Sequence, residues 1–506
     1  MSKIEGLKNQ VERFQSNIFG LDVRSLGLFR VLLGLSLLGN HIVFKWLNFS
    51  DIYAPSKGLL GNDFMEVAPK GYPFSWLQFI HSDMTMYVVF ILASIAYFLF
   101  TIGYKPQASS MLSLFFFGGI SMRYFPIRSG WDYYFYVLLA LSIFLPIGKY
   151  FSLFQQNDSY KKDEARTCWS WMLIFQIGVI YSFAGLSKIG HLWQDGKALW
   201  YLCMDTTINR EIGANFAMSS PEWLIELLTY ITKYWEILFL PLLFFPYKNQ
   251  WLRIFLSFSI LLFHFVVDLF TDVGHFKWAG LCAAILLLPS IFWNNVTLYK
   301  RIIPKWSSGK DVKEWLQKFE IPSFAGTFLC IYVFVGVTTE NIVHNIWERN
   351  FYFKQSEERQ RNPLAVLYPW DSFLFKQAWS MYSPNPNYEF GKLTVEGLQE
   401  NGLVLDLISG EVVDTLQPSL KKDYTDVMVR KTMMNKMKLS IQKVQDEIFN
   451  QHFFNFQINK YISEHPEVRL KEAYMVLYSW DGRTYYHHRD KINIERKVFY
   501  HGAINY

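Results

Sequence analysis

The sequence predicts an α-helical polytopic membrane protein of about nine transmembrane helices, followed by a C-terminal extramembrane α+β domain. Three observations predict it. Of the 506 residues, 51% are hydrophobic, 19% aromatic and only 18% charged, where an ordinary soluble domain carries roughly 25% charge. Apolar runs of bilayer-crossing length recur along residues 1–343, and mean hydropathy is +0.10. From His344 onward the runs stop and polar and apolar residues alternate, so 344–506 is expected to be a separate, water-exposed domain.

A spanning helix needs about 20 mostly apolar residues, commonly bounded by Lys, Arg, Trp or Tyr. Nine segments qualify: Leu26 to Phe44, Met84 to Gly103, Ser109 to Phe125, Trp131 to Pro146, Trp169 to Leu186, Trp223 to Phe245, Trp251 to Phe270, Phe276 to Trp293 and Phe324 to Val343. The third and fourth are short. Met1 to Asn17 is too polar for the apolar core of a signal peptide, so the first span is expected to direct its own insertion. The four cysteines, Cys168, Cys203, Cys282 and Cys330, are far apart with no CxxC spacing, and read as small buried hydrophobes.

Lys and Arg favour the cytoplasmic side of short loops. With the N-terminus inside and nine spans, the inside segments carry 17 of these residues and the outside segments before the last span carry 8. This bias predicts a cytoplasmic N-terminus and a non-cytoplasmic C-terminal domain, in the inner membrane if the cell is bacterial. The net charge of +6 comes from basic residues beside apolar runs, so membrane lipid rather than nucleic acid is the expected partner. In the C-terminal domain, Lys392 to Glu396 and Leu403 to Leu407 read as strands joined through Glu400-Asn401-Gly402, where Asn-Gly supplies positive φ for a tight turn. Met433 to Ile462 has a helical period, Met428 to Met437 reads as a methionine-rich packing or peptide-binding face, and Ala473 to Trp480 and Lys497 to His501 read as further strands.

A charge inside the hydrocarbon costs about 2.5 to 3.5 kcal/mol on insertion scales, so each one marks a candidate site. Lys233 and Glu236 are three apart on the sixth span and can neutralise each other. His264 and Asp268 are four apart on the seventh, either as an oriented imidazole or as a structural pair. No third ligand is placed beside them, so no metal is expected. Arg30 has three open roles: holding a carboxylate such as Asp268, holding a lipid headgroup, or snorkelling. Lys188 ends the fifth span after Tyr181-Ser-Phe-Ala-Gly-Leu-Ser. Burial at that mouth would disfavour the ammonium and leave an amine able to accept a proton, whereas an interfacial lysine would simply reach the headgroups. Tyr181, Trp193 and Trp131 can line a pocket for a flat ligand or anchor the helices at the interface.

The order of these features resembles the horizontally transferred transmembrane (HTTM) domain family, which includes the vitamin K-dependent gamma-carboxylase. Arg24-Ser-Leu-Gly-Leu-Phe-Arg30-Val-Leu-Leu-Gly34 is similar to the family's opening helix, and Trp131-Asp-Tyr-Tyr-Phe-Tyr-Val to its aromatic fourth helix. Tyr181 to Lys188, with Trp193 and Gly196, resembles the stretch that holds the carboxylase's catalytic lysine. His264 to Phe276 resembles the late histidine-bearing span, and Trp379 to Pro386 the junction with the extramembrane domain.

The resemblance implies a carboxylase-like lyase in which Lys188 deprotonates a reduced naphthoquinone of the vitamin K type, with His264, Asp268 and Tyr134 in support and an exported peptide or protein as substrate. Tyr181, Trp193, Trp131 and Arg30 would then hold the quinone. Tyr134 stands where the carboxylase has a histidine that assists carbon dioxide addition, and a phenol does not replace an imidazole near neutral pH. The alternative is a peptide-maturation or binding factor of the same family without carboxylation. A transporter is disfavoured, because no Gly- or Pro-interrupted helices recur in two halves.

Overall fold

The computed structural model describes residues 18–68, 74–127, 130–153, 164–205, 208–295, 328, 331, 382–383, 385–386, 389–413, 444–481 and 494–504. Helix α1 (Val23–Asn40) starts at Asp22, whose carboxylate accepts from the Arg24 backbone N–H at 2.8 Å and pairs with the Arg24 guanidinium at 2.6 Å. A carboxylate there satisfies an orphan donor and complements the helix dipole. The helix widens into a π-helical turn, His41–Trp46. Helix α2 (Asp83–Ile102) stops at Gly103, which adopts φ +78, and α3 (Pro106–Arg123) begins with proline, whose missing N–H costs nothing in a first turn.

Helix α4 spans Gly130–Ser142 and α5 spans Cys168–Leu186, the latter opened by a reciprocal cap between Thr167 and Ser170. Then follow α6 (Glu222–Leu243), α7 (Asn249–Phe270) and α8 (Phe276–Leu287). Eight of the nine expected spans thus coincide with helices. Only four of these helices are long and apolar enough to cross a bilayer: α1 with its π turn, α2, α5 and α7. Nine spans are therefore more than the described residues carry. Helices α4 and α8 are shorter than a bilayer needs, α6 carries four charged residues, and the eighth expected span breaks before Pro289 into α8 and a separate helix, Ser290–Asn295. The ninth, Phe324 to Val343, lies outside the described residues apart from Phe328 and Ile331.

Helix α1 packs between α2 and α8, α5 lies along α6, and α7 against α8. Beyond its first turn the outward face of α2 is apolar, with Val88, Ile91, Leu92, Ile95 and Phe98 exposed, which water would penalise and lipid would not.

The described C-terminal strands are β1 (Glu389–Gln399), β2 (Val404–Asp406), β3 (Leu470–Asp481) and β4 (Glu495–Ala503), in the antiparallel order β2-β1-β3-β4. Leu393 pairs with Leu477 and Val395 with Met475, and helix α9 (Val444–Glu464) packs against β1, so an α+β arrangement is present. The β1–β2 turn departs from the expectation in one respect. Gly402 alone takes positive φ (+87), while Asn401 contributes its side chain, whose Oδ1 accepts from Leu403 N at 2.9 Å. The methionine-rich stretch Met428 to Met437 lies outside the described residues.

Several contacts tie this region to one end of the helical bundle. His452 on α9 meets Leu59 O at 2.7 Å and Lys460 pairs with Asp51 at 2.6 Å, both in the connection after α1. Asn385 Oδ1 accepts from Leu192 N at 2.9 Å, just after α5.

Candidate functional site

The site is built on the contact between α5 and α6. Gly178, Ser182 and Gly185 place small residues along one face of α5, which lets two backbones approach closely. A Cβ at Gly185 would sit 2.6 Å from Ile237 N and 2.8 Å from Glu236 Cβ. Pro241 has no N–H to offer the carbonyl four residues back, and Ser182 fills that gap. Its hydroxyl reaches Ile237 O at 3.1 Å and Glu236 O at 3.2 Å, and its oxygen accepts from Leu240 N at 2.9 Å.

This contact aims Glu236 at Lys188. Nζ lies 2.5 Å from Oε2, with both side chains at 5% exposure or less, and also donates to Ala184 O at 3.1 Å. The indole of Trp193 covers the ammonium, 5.0 Å from Nζ to the ring centroid. Lys188 is therefore sheltered, as expected for the proton acceptor and contrary to a lysine snorkelling to headgroups. It is nonetheless held as an ion pair, which the sequence reading did not anticipate.

The lid over this pair comes from the far end of the chain. Trp193 Nε1 donates to Tyr382 O at 2.8 Å, and Asn385 Nδ2 meets His191 Nδ1 at 3.1 Å. Gly190 leaves room for Asn385, whose Oδ1 would lie 2.2 Å from a Cβ there. Tyr382 adopts φ +57, a conformation that costs a bulky residue about 1 to 3 kcal/mol and persists only when its surroundings hold it.

Beside the pair, Tyr181 and His264 bridge α5 and α7, with the phenol oxygen 2.9 Å from Nε2. The imidazole fits against α8 because position 280 is glycine; a Cβ there would lie 2.1 Å from the ring. Tyr134 is fully buried on α4. The structure thus brings Lys188 and Trp193 together with Glu236, and joins Tyr181 to His264 along the same helix α5.

Other expected partnerships do not form. Lys233 does not pair with Glu236; it is half-buried, with Nζ 5.9 Å from the ring of Tyr234, because close packing at Gly185 gives Glu236 a partner just past the end of α5 instead. Asp268 does not orient His264. It sits near the end of α7, part-exposed, bonded to Arg210 at 3.2 Å and Lys277 at 3.1 Å. Arg30 neither meets Asp268 nor snorkels: its guanidinium donates to Phe100 O at 3.3 Å and Phe151 O at 2.5 Å. It packs so tightly on Gly103 that a Cβ there would overlap Nη1. Trp131 packs on His275, 4.7 Å between ring centroids, not on Lys188. Two of the four residues expected to hold a quinone, Arg30 and Trp131, are therefore engaged elsewhere. The signal that marks Glu236 is present in the sequence as Pro241 opposite a Gly-x-x-x-Ser-x-x-Gly stretch, yet reading it requires knowing that α5 and α6 are neighbours.

These features define a membrane protein whose helical bundle encloses a lysine–carboxylate pair under an indole. The HTTM domain model matches residues 20–293, more than half of the chain, and the chain belongs to the HTTM domain family. No curated protein and no solved structure matches it significantly.

Proposed function

We propose that this chain is a carboxylase-like membrane enzyme that uses a reduced quinone of the vitamin K type to modify glutamate in an exported peptide. The observation that carries the reading is the buried Lys188–Glu236 pair beneath Trp193. A buried ion pair is expensive and rarely improves stability over apolar packing, so its presence favours a chemical role.

Trp193 offers an aromatic face over the amine, which suits a flat, apolar diol. When bound, the reduced naphthoquinone supplies the electrons and the acidic hydroxyl from which reaction with dioxygen begins. The chain's own part is proton handling. Lys188 accepts a proton at Nζ only after passing its own to Oε2 of Glu236, so the base is the pair rather than the lysine alone. Tyr181 and His264 form a second hydrogen-bonded pair at the flank. The Tyr382 and Asn385 contacts exclude water above Trp193 and bring the C-terminal region, the part proposed to bind peptide, to the mouth of the site.

The same reading takes nine spans, a cytoplasmic N-terminus and a non-cytoplasmic C-terminal region, supported by the two-to-one bias of basic residues and by the docking of that region at the Lys188 end of the bundle. Labelling of single cysteines at positions 57 and 400 from the outside of intact cells tests this orientation, with labelling at both sites expected.

Purified protein given reduced naphthoquinone, dioxygen, labelled bicarbonate and glutamate peptides is expected to fix label into glutamate, and Lys188→Met to abolish it. Absence of label with wild-type protein, together with peptide binding that survives Lys188→Met, would support the second reading instead: a peptide-maturation or binding factor without carboxylation. The resemblance, which sets Tyr134 where the carboxylase has a histidine, favours that second reading.

A further inference from the structure

We propose a second ligand site, independent of the Lys188 reading, where the π-helical turn after α1 meets the starts of α4 and α8, and infer that it binds a monocarboxylate. Such π turns recur at functional sites, and this one carries both His41 and Lys45.

Lys45 is buried, its Nζ 5.1 Å from the Phe117 ring centroid, and makes no side-chain hydrogen bond or ion pair with another described residue. The Asp132 carboxylate acts on it at longer range without closing an ion pair. Around Lys45 lie further buried groups without hydrogen-bond partners among the described residues: Trp131 Nε1, His275 Nε2, Asn40 Nδ2, Tyr97 Oη and His41 Nδ1.

These groups are neighbours in space. The His275 ring lies 4.2 Å from Phe44 and 4.7 Å from Trp131, and the His41 ring lies 5.4 Å from Tyr97. A Cβ at Gly274, the φ +75 residue before His275, would meet only Trp131 Nε1, so the indole N–H faces the turn that carries His275.

The inventory is donor-rich. Trp131 Nε1, Asn40 Nδ2 and the Lys45 ammonium can only donate, whereas His41 Nδ1 is left as an acceptor because Nε2 donates to Phe90 O at 3.0 Å. Each unmet buried donor costs about 1 to 3 kcal/mol, and an ammonium more. A group with two acceptor oxygens and one negative charge answers that inventory. A metal cation does not, and a phosphate would call for more than one fixed cation. Ile42 and Val43, on the same turn, are half exposed on the apolar exterior, so the carboxylate can belong to a bilayer-borne fatty acid as well as to a water-soluble acid.

The test is equilibrium binding of labelled oleate and labelled acetate to the full chain in nanodiscs. Saturable binding of either is expected, weakened about tenfold by Trp131→Phe, which removes the N–H and keeps a ring, and at least as much by Lys45→Met. Lys233→Gln is expected to leave it unchanged. Oleate binding alone identifies a lipid source, and acetate binding a water-soluble one. No saturable binding of either probe, or an affinity that Trp131→Phe leaves within twofold, overturns the proposal; that variant decides even where Lys45→Met fails to fold.

Discussion

Two ionic clusters lie toward the same end of the bundle and are made of the same chemistry, yet they sit in opposite solvents. Lys188 and Glu236 are within 5% of complete burial, while Arg210, Asp268 and Lys277 form a triad whose members are 27% to 39% exposed. In the first, each charge depends on the other, because neither can find water. In the second, water competes for every contact and the triad serves as a surface clasp between α7, the start of α8 and the connection before α6. The difference teaches where to look for function. Charge inside a membrane bundle is costly in proportion to its burial, so the deeply buried pair carries the stronger functional argument.

The comparison can be broken most sharply at Glu236. Glu236→Gln leaves a buried ammonium without its counter-charge and is expected to cost about 3 to 5 kcal/mol, read as a lowered unfolding temperature in nanodiscs. Replacing both partners, Lys188→Met with Glu236→Leu, should return most of that stability while leaving the protein inactive. A double variant no more stable than Glu236→Gln would mean that the pair is not isolated from water. Ser182→Ala removes the hydroxyl that fills the Pro241 gap, and an expected loss of about 1 to 3 kcal/mol would appear in denaturant titrations.

At the exposed cluster, Asp268→Asn should cost less than about 1 kcal/mol, with the loss shrinking as salt is raised. An effect matching that of Glu236→Gln would erase the distinction between the two clusters.

The smallest effect concerns the docking of α9. Desolvation holds the His452 imidazole below its ordinary range, so the folded protein prefers the neutral ring that contacts Leu59 O. The stability it contributes is present above about pH 6.5 and is lost as pH falls through the lowered folded value. Hydrogen exchange in α9 should therefore rise on acidification in the wild type and not in His452→Gln.

Much of the architecture was legible in the sequence because it follows from local properties. The length of an apolar run places a helix, Pro106 and Gly103 mark helix ends, and alternation with a glycine turn gives the β1–β2 hairpin. How many of these helices are long enough to span was less legible, since the break before Pro289 and the shortness of α4 and α8 depend on how the bundle packs.

The family resemblance and the importance of Lys188 as a candidate could likewise be reached from residue order alone. Which charge meets which could not. Helical spacing offered Glu236 to Lys233 and Asp268 to His264, since residues three or four apart share a face. The fold gave Glu236 to Lys188, His264 to Tyr181 and Asp268 to Arg210 and Lys277. A charge buried in a bundle takes the partner that close packing brings within reach, and here the absence of a side chain at Gly185 and Gly280 set those distances.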